Sequence, residues 1–245
     1  MKDVYEKFAY DYDQFGAIEE YLGREKDFLE TLFKEYNVKS VLDCACGTGQ
    51  HLFMFFQLGL DVSGSDYSDS MLDVARKNFE KQGIKIPLRQ CDFRYLEQKH
   101  SNTFDAVVCL TSSLPHLHSD EDLLRALQSM RNRLNRGGVL VLTQGTTHCT
   151  LSLPSIEVVI NKKDFSRVFI KEHDDEFQTI HVLDLFHSDE RVESNRYDIV
   201  YRILLDDAYK RLLAEAGYQN IQVFGDYDMR EYDEQSPRLI VVAEA

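Results

Sequence analysis

The stretch that decides the fold runs from Val38 to Asp66 and reads VKSVLDCACGTGQHLFMFFQLGLDVSGSD. A short apolar strand at Val41-Leu42 enters a turn of small residues, DCACGTG, and a second strand that starts at Asp61 ends on Asp66. Between them, apolar residues recur at helical spacing, at Leu52, Phe55, Phe56 and Leu58. The stretch therefore predicts a strand, a glycine turn, a helix and a second strand, the opening unit of a doubly wound α/β sheet.

The glycine turn has room for a ligand and lies near two acids, one inside the turn and one at the end of the second strand. In a doubly wound sheet, this turn lets ligand atoms approach the backbone, and an acid ending the second strand can bind both hydroxyls of a ribose. Gly47 and Gly49 supply the room, and Asp66 is the acid. The dinucleotide pattern G-x-G-x-x-G is absent, because position 52 is leucine. Asp43, inside the turn, would repel a pyrophosphate but not an amino group.

These residues resemble the first motif of the class I S-adenosylmethionine-dependent methyltransferases, an acid followed by a G-x-G turn, with a second acid ending strand two. The matching positions are Asp43, Ala45, Gly47, Gly49 and Asp66. The resemblance implies that S-adenosyl-L-methionine is the cofactor and S-adenosyl-L-homocysteine the product. It also implies that Asp43 faces the amino group of the cofactor and that Asp66 binds its ribose.

The resemblance extends to the N-terminal part of the chain. Tyr12, in an aromatic segment from Tyr5 to Phe15, would belong to a lid over the sulfonium, a cation that prefers aromatic faces. Arg24, at the start of an amphipathic helix, would bind the methionine carboxylate. Two alternatives stay open: the aromatic segment is a short helix that packs on the core, and Arg24 is solvated.

The resemblance also assigns the adenine end of the cofactor. Tyr67 would pack against the adenine, and Asp92, after a third strand predicted at Ile84–Gln90, would accept from the adenine amino group. An ordinary turn or cap role for Asp92 stays open. The backbone of Leu110, at the end of the fourth strand, would contact the cofactor. The complete predicted cofactor-binding set is Tyr12, Arg24, Asp43, Ala45, Gly47, Gly49, Asp66, Tyr67, Met71, Asp92, Phe93 and Leu110.

The exit of the fourth strand, Phe104–Leu110, is the expected place for chemistry, because this strand adjoins the first one at the switch point of the sheet. The segment that leaves it, CLTSSLPHL, is similar to glycine N-methyltransferases, and His116 is the matching histidine. His116 is the candidate catalytic residue, which would orient or deprotonate an acceptor amine or hydroxyl. The alternative is that His116 braces the loop through a backbone hydrogen bond.

The similarity to glycine N-methyltransferases ends after the fifth strand, predicted at Val139–Thr143. Those enzymes carry an arginine there for the substrate carboxylate, whereas this chain reads Gln144-Gly-Thr-Thr-His148. The sequence therefore gives no support for glycine as the substrate.

The pattern becomes rich in short strands from Leu151 to about Leu205, which predicts an antiparallel sheet with one wet face. A helix and a closing hairpin follow. We therefore expect an α/β fold with a doubly wound, Rossmann-like seven-stranded sheet, its last strand antiparallel, plus an antiparallel β insertion. The methyltransferase domain would comprise residues 1–149 and 206–245, and residues 150–205 would form the insertion on the substrate side.

Composition favours a small molecule as the substrate. The 245 residues carry a formal net charge of -14, which would repel nucleic acid. The five cysteines include no zinc-like C-x-x-C pair, and we expect no metal. The start of the chain lacks the apolar run of a signal peptide, and no stretch approaches a membrane span. We expect a cytoplasmic monomer or homodimer that contacts neither nucleic acid nor membrane.

The predicted reaction is transfer of the sulfonium methyl group to a nitrogen or oxygen of a small molecule. Because the leaving group is already charged, the protein has mainly to align the nucleophile, the methyl carbon and the sulfur. One alternative is an NAD-dependent oxidoreductase, which the missing third glycine disfavours. The other is a non-catalytic partner subunit that keeps the cofactor pocket.

Overall fold

The computed structural model describes residues 2–13, 23–189 and 191–245, and these contain two β-sheets. The strands are β1 (Ser40–Asp43), β2 (Asp61–Asp66), β3 (Leu88–Gln90), β4 (Phe104–Cys109), β5 (Leu134–Gln144), β6 (Ile156–Asn161), β7 (Phe165–His173), β8 (Phe177–His187), β9 (Val192–Arg202), β10 (Gln219–Phe224) and β11 (Leu239–Glu244). The larger sheet has seven strands in the order β10-β11-β5-β4-β1-β2-β3. Strand β11 is antiparallel to both β5 and β10. The other neighbouring pairs, β5–β4, β4–β1, β1–β2 and β2–β3, are parallel.

The helices of the described chain flank the larger sheet or connect it to the smaller one. They are α1 (Lys2–Tyr12), α2 (Gly23–Glu35), α3 (Gln50–Gln57), α4 (Asp69–Lys81), α5 (Asp120–Arg131), α6 (His148–Leu151) and α7 (Asp206–Glu215). Two 3₁₀ turns lie at Phe93–Gln98 and Leu114–His116. None of these helices has both the length and the apolar character needed to cross a membrane.

The centre of the larger sheet is apolar on both faces, as a parallel strand covered by helices requires. In β1, Val41 packs in the cluster with α2, α3 and α4, whereas its neighbour Leu42 packs in the cluster with α5 and α7. Both side chains are fully buried. The register pairs Asp43 with Gly64 of β2 and with Val108 of β4, so the glycine turn leaves the sheet at its switch point.

The smaller sheet is fully antiparallel, in the order β6-β7-β8-β9. One of its faces packs on α1 through a cluster that centres on Phe8, Val182, Tyr197 and Ile199. Beside this cluster, the buried Arg167 donates to Asp184 at 2.6 Å and to the backbone oxygen of Asp11 at 2.7 Å. Helix α1 is therefore fixed to the smaller sheet by apolar packing and by the hydrogen bond from Arg167 to its backbone.

The fold class predicted from the sequence is confirmed: an α/β sheet of seven strands with the last strand antiparallel, plus an antiparallel four-stranded sheet. The bounds differ by several residues in two strands. Strand β3 is shorter than the predicted Ile84–Gln90, because pairing with β2 starts at Leu88, after Pro87, which has no N–H to donate. Strand β5 begins earlier than Val139, at Leu134, and its pairing with β4 contains an irregularity. Phe15 lies outside the described residues.

Candidate functional site

A large cavity opens where the carboxyl ends of β1, β2, β4 and β5 face the smaller sheet. Its volume is about 550 Å³, within the range of roughly 300–1,000 Å³ that is common for small-molecule pockets. Its walls come from the glycine turn, α1, the loop after β4 and strands β6 to β9. Most of the elements that the sequence marked as functional therefore border one space.

Most of the residues predicted for the site line this cavity. They are Tyr12, Ala45, Gly47, Asp66, Tyr67, Met71, Phe93 and His116. The remaining predicted residues, which the lining does not include, are Arg24, Asp43, Gly49, Asp92 and Leu110.

The two glycines of the turn have different roles. Gly49 has a φ of 85°, and a Cβ there would lie 2.5 Å from Cζ of Phe79 on α4. Gly49 is therefore required for both the backbone conformation and the packing of α4. Gly47 has a φ of 51°, but a Cβ there would meet no atom within 4 Å. The space above Gly47 belongs to the cavity and leaves the backbone open to a ligand.

Asp66 is held at the edge of the cavity by the backbone. The N–H of Gly47 donates to Oδ2 at 2.9 Å, and the N–H of Ser68 donates to Oδ1 at 2.9 Å. Burial raises the pKa of Asp66, and these backbone donors act against that shift. Each carboxylate oxygen keeps a second lone pair. The arrangement can thus accept two further hydrogen bonds, as from the hydroxyls of a ribose.

Asp43 lies beneath the turn, with an exposed fraction of only 1%. Its Oδ1 accepts from the N–H of Ala45 at 3.1 Å. Burial raises the pKa of Asp43 to about 7, although the charge of His51 opposes the shift. The carboxyl group therefore changes its charge near neutral pH, directly behind the backbone that lines the cavity.

His51, which lines the cavity, forms a buried pair with Glu25 of α2 at 3.2 Å. Burial acts to lower the pKa of His51, but the charge and hydrogen bond of Glu25 and the charge of Asp43 outweigh it, and the pKa is raised. Burial acts to raise the pKa of Glu25, but the charge and hydrogen bond of His51, the hydrogen bond of Tyr227 and the charge of Arg238 together outweigh it, and the pKa is lowered. Each partner thus favours the charged form of the other, and this buried pair beside Asp43 was not found from the sequence.

Asp92 has a different environment from Asp66. Its Oδ1 accepts from the backbone N–H of Arg94 at 2.9 Å, which caps the 3₁₀ turn, and its Oδ2 accepts from Nη2 of Arg94 at 2.6 Å. The same arginine also reaches Asp122 of α5 at 2.9 Å. Asp92 therefore has the cap role that the sequence left open, while its neighbour Phe93 lines the cavity.

The arginine predicted for the methionine carboxylate lies outside the cavity lining. Arg24 has a side chain that is 70% exposed and donates to Asp226 at 3.0 Å. Arg238, on the loop before β11, does line the cavity, and it lies over the ring of Tyr227 with its Nε 4.0 Å from Asp226. With Arg230 at 3.8 Å, three arginines lie around the carboxylate of Asp226, and Arg238 is the one that lines the cavity.

The N-terminal segment covers the glycine turn through Asp13. Its carboxylate accepts from Thr48 at 2.6 Å, from Gln50 at 2.8 Å and from Asn78 at 2.8 Å. Farther back on α1, Glu6 accepts from Ser68 at 3.2 Å. Helix α1 is thereby hydrogen-bonded to the turn and to the N-terminal end of α4, and its residue Tyr12 faces the cavity.

The loop after β4 turns sharply into the cavity. Thr111 and Ser112, both of which line it, have φ values of 54° and 65°. Consecutive residues other than glycine rarely adopt this left-handed conformation. Here Thr143 of β5 holds it, since its hydroxyl accepts from the N–H of Thr111 and its backbone oxygen accepts from the N–H of Ser112. Backbone strain of this kind is concentrated at functional sites.

His116 lies in this loop and contacts two tyrosines that also line the cavity. Its Nε2 is 2.8 Å from Oη of Tyr5, and the two atoms share a hydrogen bond. Its ring centroid is 4.7 Å from that of Tyr201. Burial lowers the pKa of His116 to about 4. The imidazole is therefore uncharged at neutral pH, within a cluster of aromatic rings and hydroxyl groups.

Several cavity residues were missed from the sequence. Tyr5 was noted as an aromatic residue only, because its partner His116 is more than a hundred positions away. Tyr201 and Arg238, which also line the cavity, were not singled out. The strain at Thr111 and Ser112 had no sequence signal either, since neither residue is glycine or asparagine.

Known methyltransferases are similar to this chain in sequence. Residues 41–138 match the family described as "Methyltransferase domain". The glycine/sarcosine N-methyltransferase of Parasynechococcus marenigrum is 32% identical over 211 residues, which cover 83% of this chain and 71% of that protein. A dTDP-3-amino-3,4,6-trideoxy-alpha-D-glucopyranose N,N-dimethyltransferase of Streptomyces venezuelae is 32% identical over 143 residues, 58% of each chain.

A solved structure shows the same fold. The CcbJ methyltransferase of Streptomyces caelestis superposes with a TM-score of 0.84 at 19% identity and covers 99% of this chain and 98% of its own. None of these comparisons supports an oxidoreductase or a non-catalytic subunit. The glycine turn with its two acids, the cavity above it and the similarity to the Parasynechococcus marenigrum enzyme along most of both chains show that this protein belongs to the class I S-adenosylmethionine-dependent methyltransferases, with S-adenosyl-L-methionine as its cofactor.

Proposed function

We propose that this methyltransferase methylates an amine nitrogen of a small molecule. The observation that carries the proposal is the cluster of Tyr5, His116 and Tyr201 at the exit of β4. Its hydroxyl groups and neutral imidazole can accept hydrogen bonds from an N–H group, and its rings stabilise the positive charge that the nitrogen gains during transfer. Relatives whose names specify glycine, sarcosine or an amino sugar as the substrate support nitrogen as the acceptor.

The cofactor is proposed to lie along the glycine turn. Asp66 would bind the ribose diol, and Gly47 and Gly49 would let the nucleoside approach the backbone. Asp43, which is separated from the cavity by Ala45, would stabilise the ammonium group of the methionine part through its negative charge.

The two ends of the cofactor would be held by other residues of the predicted set. Tyr67, Met71 and Phe93 line the cavity on the adenine side, where apolar and aromatic surfaces suit a purine. Asp92 would act on the adenine through the turn that it caps, and Leu110 through its backbone. Tyr12 would cover the sulfonium.

We propose that Arg238 binds the methionine carboxylate. Arg24 could bind this carboxylate only after it releases Asp226. Arg238 already lines the cavity, beside Tyr227 and close to Asp226. Because Asp226 accepts from Arg24, the two guanidinium groups are kept close together in spite of their like charge.

His116 is proposed to act as the residue that positions the acceptor. A base with a pKa of about 4 is too weak to take the proton of an ordinary ammonium group, whose pKa is near 10. The acceptor would lose that proton to water and then present its lone pair to the methyl group. The new N–C bond forms as the C–S bond breaks, and S-adenosyl-L-homocysteine leaves.

Labelled S-adenosyl-L-methionine incubated with a cell metabolite extract tests the proposal. We expect label in a small amine, with acid-stable attachment to nitrogen. Asp66→Ala should weaken cofactor binding by about 1–3 kcal/mol, or roughly 5- to 150-fold in Kd, by leaving the ribose hydroxyls unpaired. No label in any small molecule, or label on oxygen or sulfur, would contradict N-methylation.

Other properties stay predictions from the sequence. These are the cytoplasmic location, the monomeric or homodimeric state, the absence of nucleic-acid and metal partners, and the division into residues 1–149 with 206–245 and residues 150–205.

A further inference from the structure

The inner face of the smaller sheet is divided into two parts. In an antiparallel sheet, residues paired across strands have their side chains on the same face. The pairing Lys171–Ile180–Ile199 and the pairing Gln178–Tyr201 therefore place all five side chains on the face that carries the α1 cluster. One part of this face is covered by α1. The other part is the wall of the cavity, which includes Lys171 and Gln178.

Lys171 is a cation in a largely enclosed part of that wall. Its side chain is only 15% exposed, and its Nζ pairs with Oε2 of Glu157 on β6. Glu157 also lines the cavity, but its side chain is 52% exposed. An exposed carboxylate gains little from such a pair and can leave it at small cost, whereas an enclosed ammonium always needs an anion nearby. Glu157 is therefore a partner that an anionic ligand can replace.

Gln178 supplies a neutral donor next to this cation. It is 3% exposed, and its Oε1 accepts from the hydroxyl of Thr146 at 2.9 Å. Its amide nitrogen makes none of the hydrogen bonds found within the described chain, so that N–H₂ group is available to a ligand. Because Lys171 pairs with Ile180, two positions from Gln178, the two residues are diagonal neighbours, roughly 7–8 Å apart at Cβ.

From these contacts we propose that Lys171 and Gln178 bind an anionic group of the methyl acceptor, so that the acceptor is an amine which also carries a carboxylate or a phosphate. This inference rests on the proposed N-methylation. It also supplies a cation on the substrate side, where the segment after β5 has no arginine. An amine with one such group is close to neutral overall, so the net charge of -14 does not repel it.

The register also sets the length of the acceptor. Tyr201 is on β9, and its ring contacts that of His116. Gln178 is opposite Tyr201 on β8, and Lys171 is one strand farther, on β7. Two strand spacings amount to about 10 Å, and the lysine side chain shortens the gap. The anionic group should therefore be several bonds away from the nitrogen that receives the methyl group, farther than the carboxylate of glycine.

The labelled product from the metabolite extract tests the chemical class, because its label allows it to be followed whatever the acceptor is. With limiting cofactor, the first methylation dominates. The product is then run by electrophoresis at about pH 12, where an amine of pKa about 10 is uncharged. We expect the labelled product to migrate toward the anode. Alkaline phosphatase then distinguishes the two anionic groups: it abolishes the migration of a phosphate monoester and leaves that of a carboxylate unchanged. A labelled product that stays at the origin overturns this inference but leaves N-methylation intact.

Variants at the sheet test the residues themselves. Lys171→Met should raise the KM for the acceptor about 10- to 100-fold, the usual effect of losing a charge-assisted hydrogen bond. The kcat and the Kd of the cofactor should stay within about 2-fold, and Lys171→Arg should restore most of the affinity. Glu157→Gln should lower the KM, because it removes the competitor for Lys171. Lys162→Met, at an exposed lysine of the turn after β6, is the matched control.

The outcomes separate binding from a structural role and from failure of the proposed function. If Lys171→Met leaves the KM unchanged and only lowers the thermal midpoint, the pair with Glu157 merely connects two strands and the inference is wrong. If Glu157→Gln raises the KM, Glu157 itself contacts the acceptor, which also contradicts it. If no small molecule is labelled at all, the proposed N-methylation fails first.

Discussion

At the scale of single residues, position along the chain predicted which acids end the strands but not which groups hold them. Asp66 and Asp92 are both strand-end acids. Backbone N–H groups hold Asp66 at the cavity, whereas Arg94 holds Asp92 away from it. The conformation of Arg94 depends on Asp122 of another helix, and such long-range partners leave no periodic signal in a sequence.

Arg24 and Arg238 give a prediction at this scale. Arg238→Met should weaken cofactor binding by about 10-fold or more, because a guanidinium facing the cavity would lose a charge-assisted hydrogen bond to the carboxylate. Arg24→Met should have an effect of about 3-fold or less, since Arg24 is largely exposed and already bound by Asp226. Calorimetric titration with S-adenosyl-L-homocysteine measures both.

If Arg24→Met weakens cofactor binding more than Arg238→Met does, Arg24 is the residue that binds the methionine carboxylate. Arg230→Met is the matched control, since Arg230 also lies near Asp226, at 3.8 Å, but does not line the cavity. A comparable loss in all three variants would show that they act through the charge of Asp226 rather than through direct contact.

At the scale of elements, the sequence predicted the strands and helices of the sheet well because their apolar periodicity follows from burial. The two strands with wrong bounds, β3 and β5, were wrong where pairing partners decide the ends, at Pro87 and at Leu134. The described part of the aromatic N-terminal segment is a helix up to Tyr12, as one interpretation of the sequence expected. Its contacts with both sheets could not be predicted, since they depend on how Asp11 and Asp13 meet distant residues.

Helix α1 gives a prediction at this scale. Asp13 joins it to the glycine turn through Thr48, Gln50 and Asn78. Asp13→Ala removes these bonds at once, and α1 would then open more often over a bound cofactor. We expect the dissociation rate of S-adenosyl-L-homocysteine to rise about 10-fold, from the loss of one to two hydrogen bonds to a charged group. Stopped-flow fluorescence with a displacing ligand measures that rate.

The helix prediction has a control on the neighbouring element. Asp73→Ala removes an exposed carboxylate of α4 that pairs only with Arg76 within the described chain, and it should leave the rate unchanged. An unchanged dissociation rate in Asp13→Ala would show that α1 does not retain the cofactor.

At the scale of the whole molecule, Asp43 and His116 are two buried groups whose opposite pKa shifts make the free energy of unfolding depend on pH. The pKa of Asp43 is about 7 in the fold and near 4 when unfolded, so its contribution is complete below pH 4 and is lost as the pH rises to 7. The pKa of His116 is about 4 in the fold and near 6.5 when unfolded. Its contribution is complete above about pH 6.5 and is lost as the pH falls toward 4.

These shifts predict opposite behaviour for two variants of the cofactor-free protein. Relative to the unmodified protein, Asp43→Asn should become more stable as the pH rises from 4 to 7, by up to about 4 kcal/mol, because an amide has no charge to bury. His116→Gln should become more stable as the pH falls over the same interval, by up to about 3 kcal/mol. Urea unfolding at a series of pH values measures both differences, with Asp175→Asn at an exposed carboxylate as the matched control.

Bound cofactor should reverse the first of these effects, which connects stability to function. The ionised Asp43 is unfavourable in the empty fold, but the ammonium group of the cofactor would stabilise it. The affinity of the unmodified protein for S-adenosyl-L-homocysteine should therefore rise as Asp43 loses its proton, by about 10-fold between pH 6 and pH 8, while that of Asp43→Asn stays low and nearly constant. If both proteins show the same pH dependence, the charge of Asp43 does not act on the ammonium group, and its raised pKa is a consequence of burial alone.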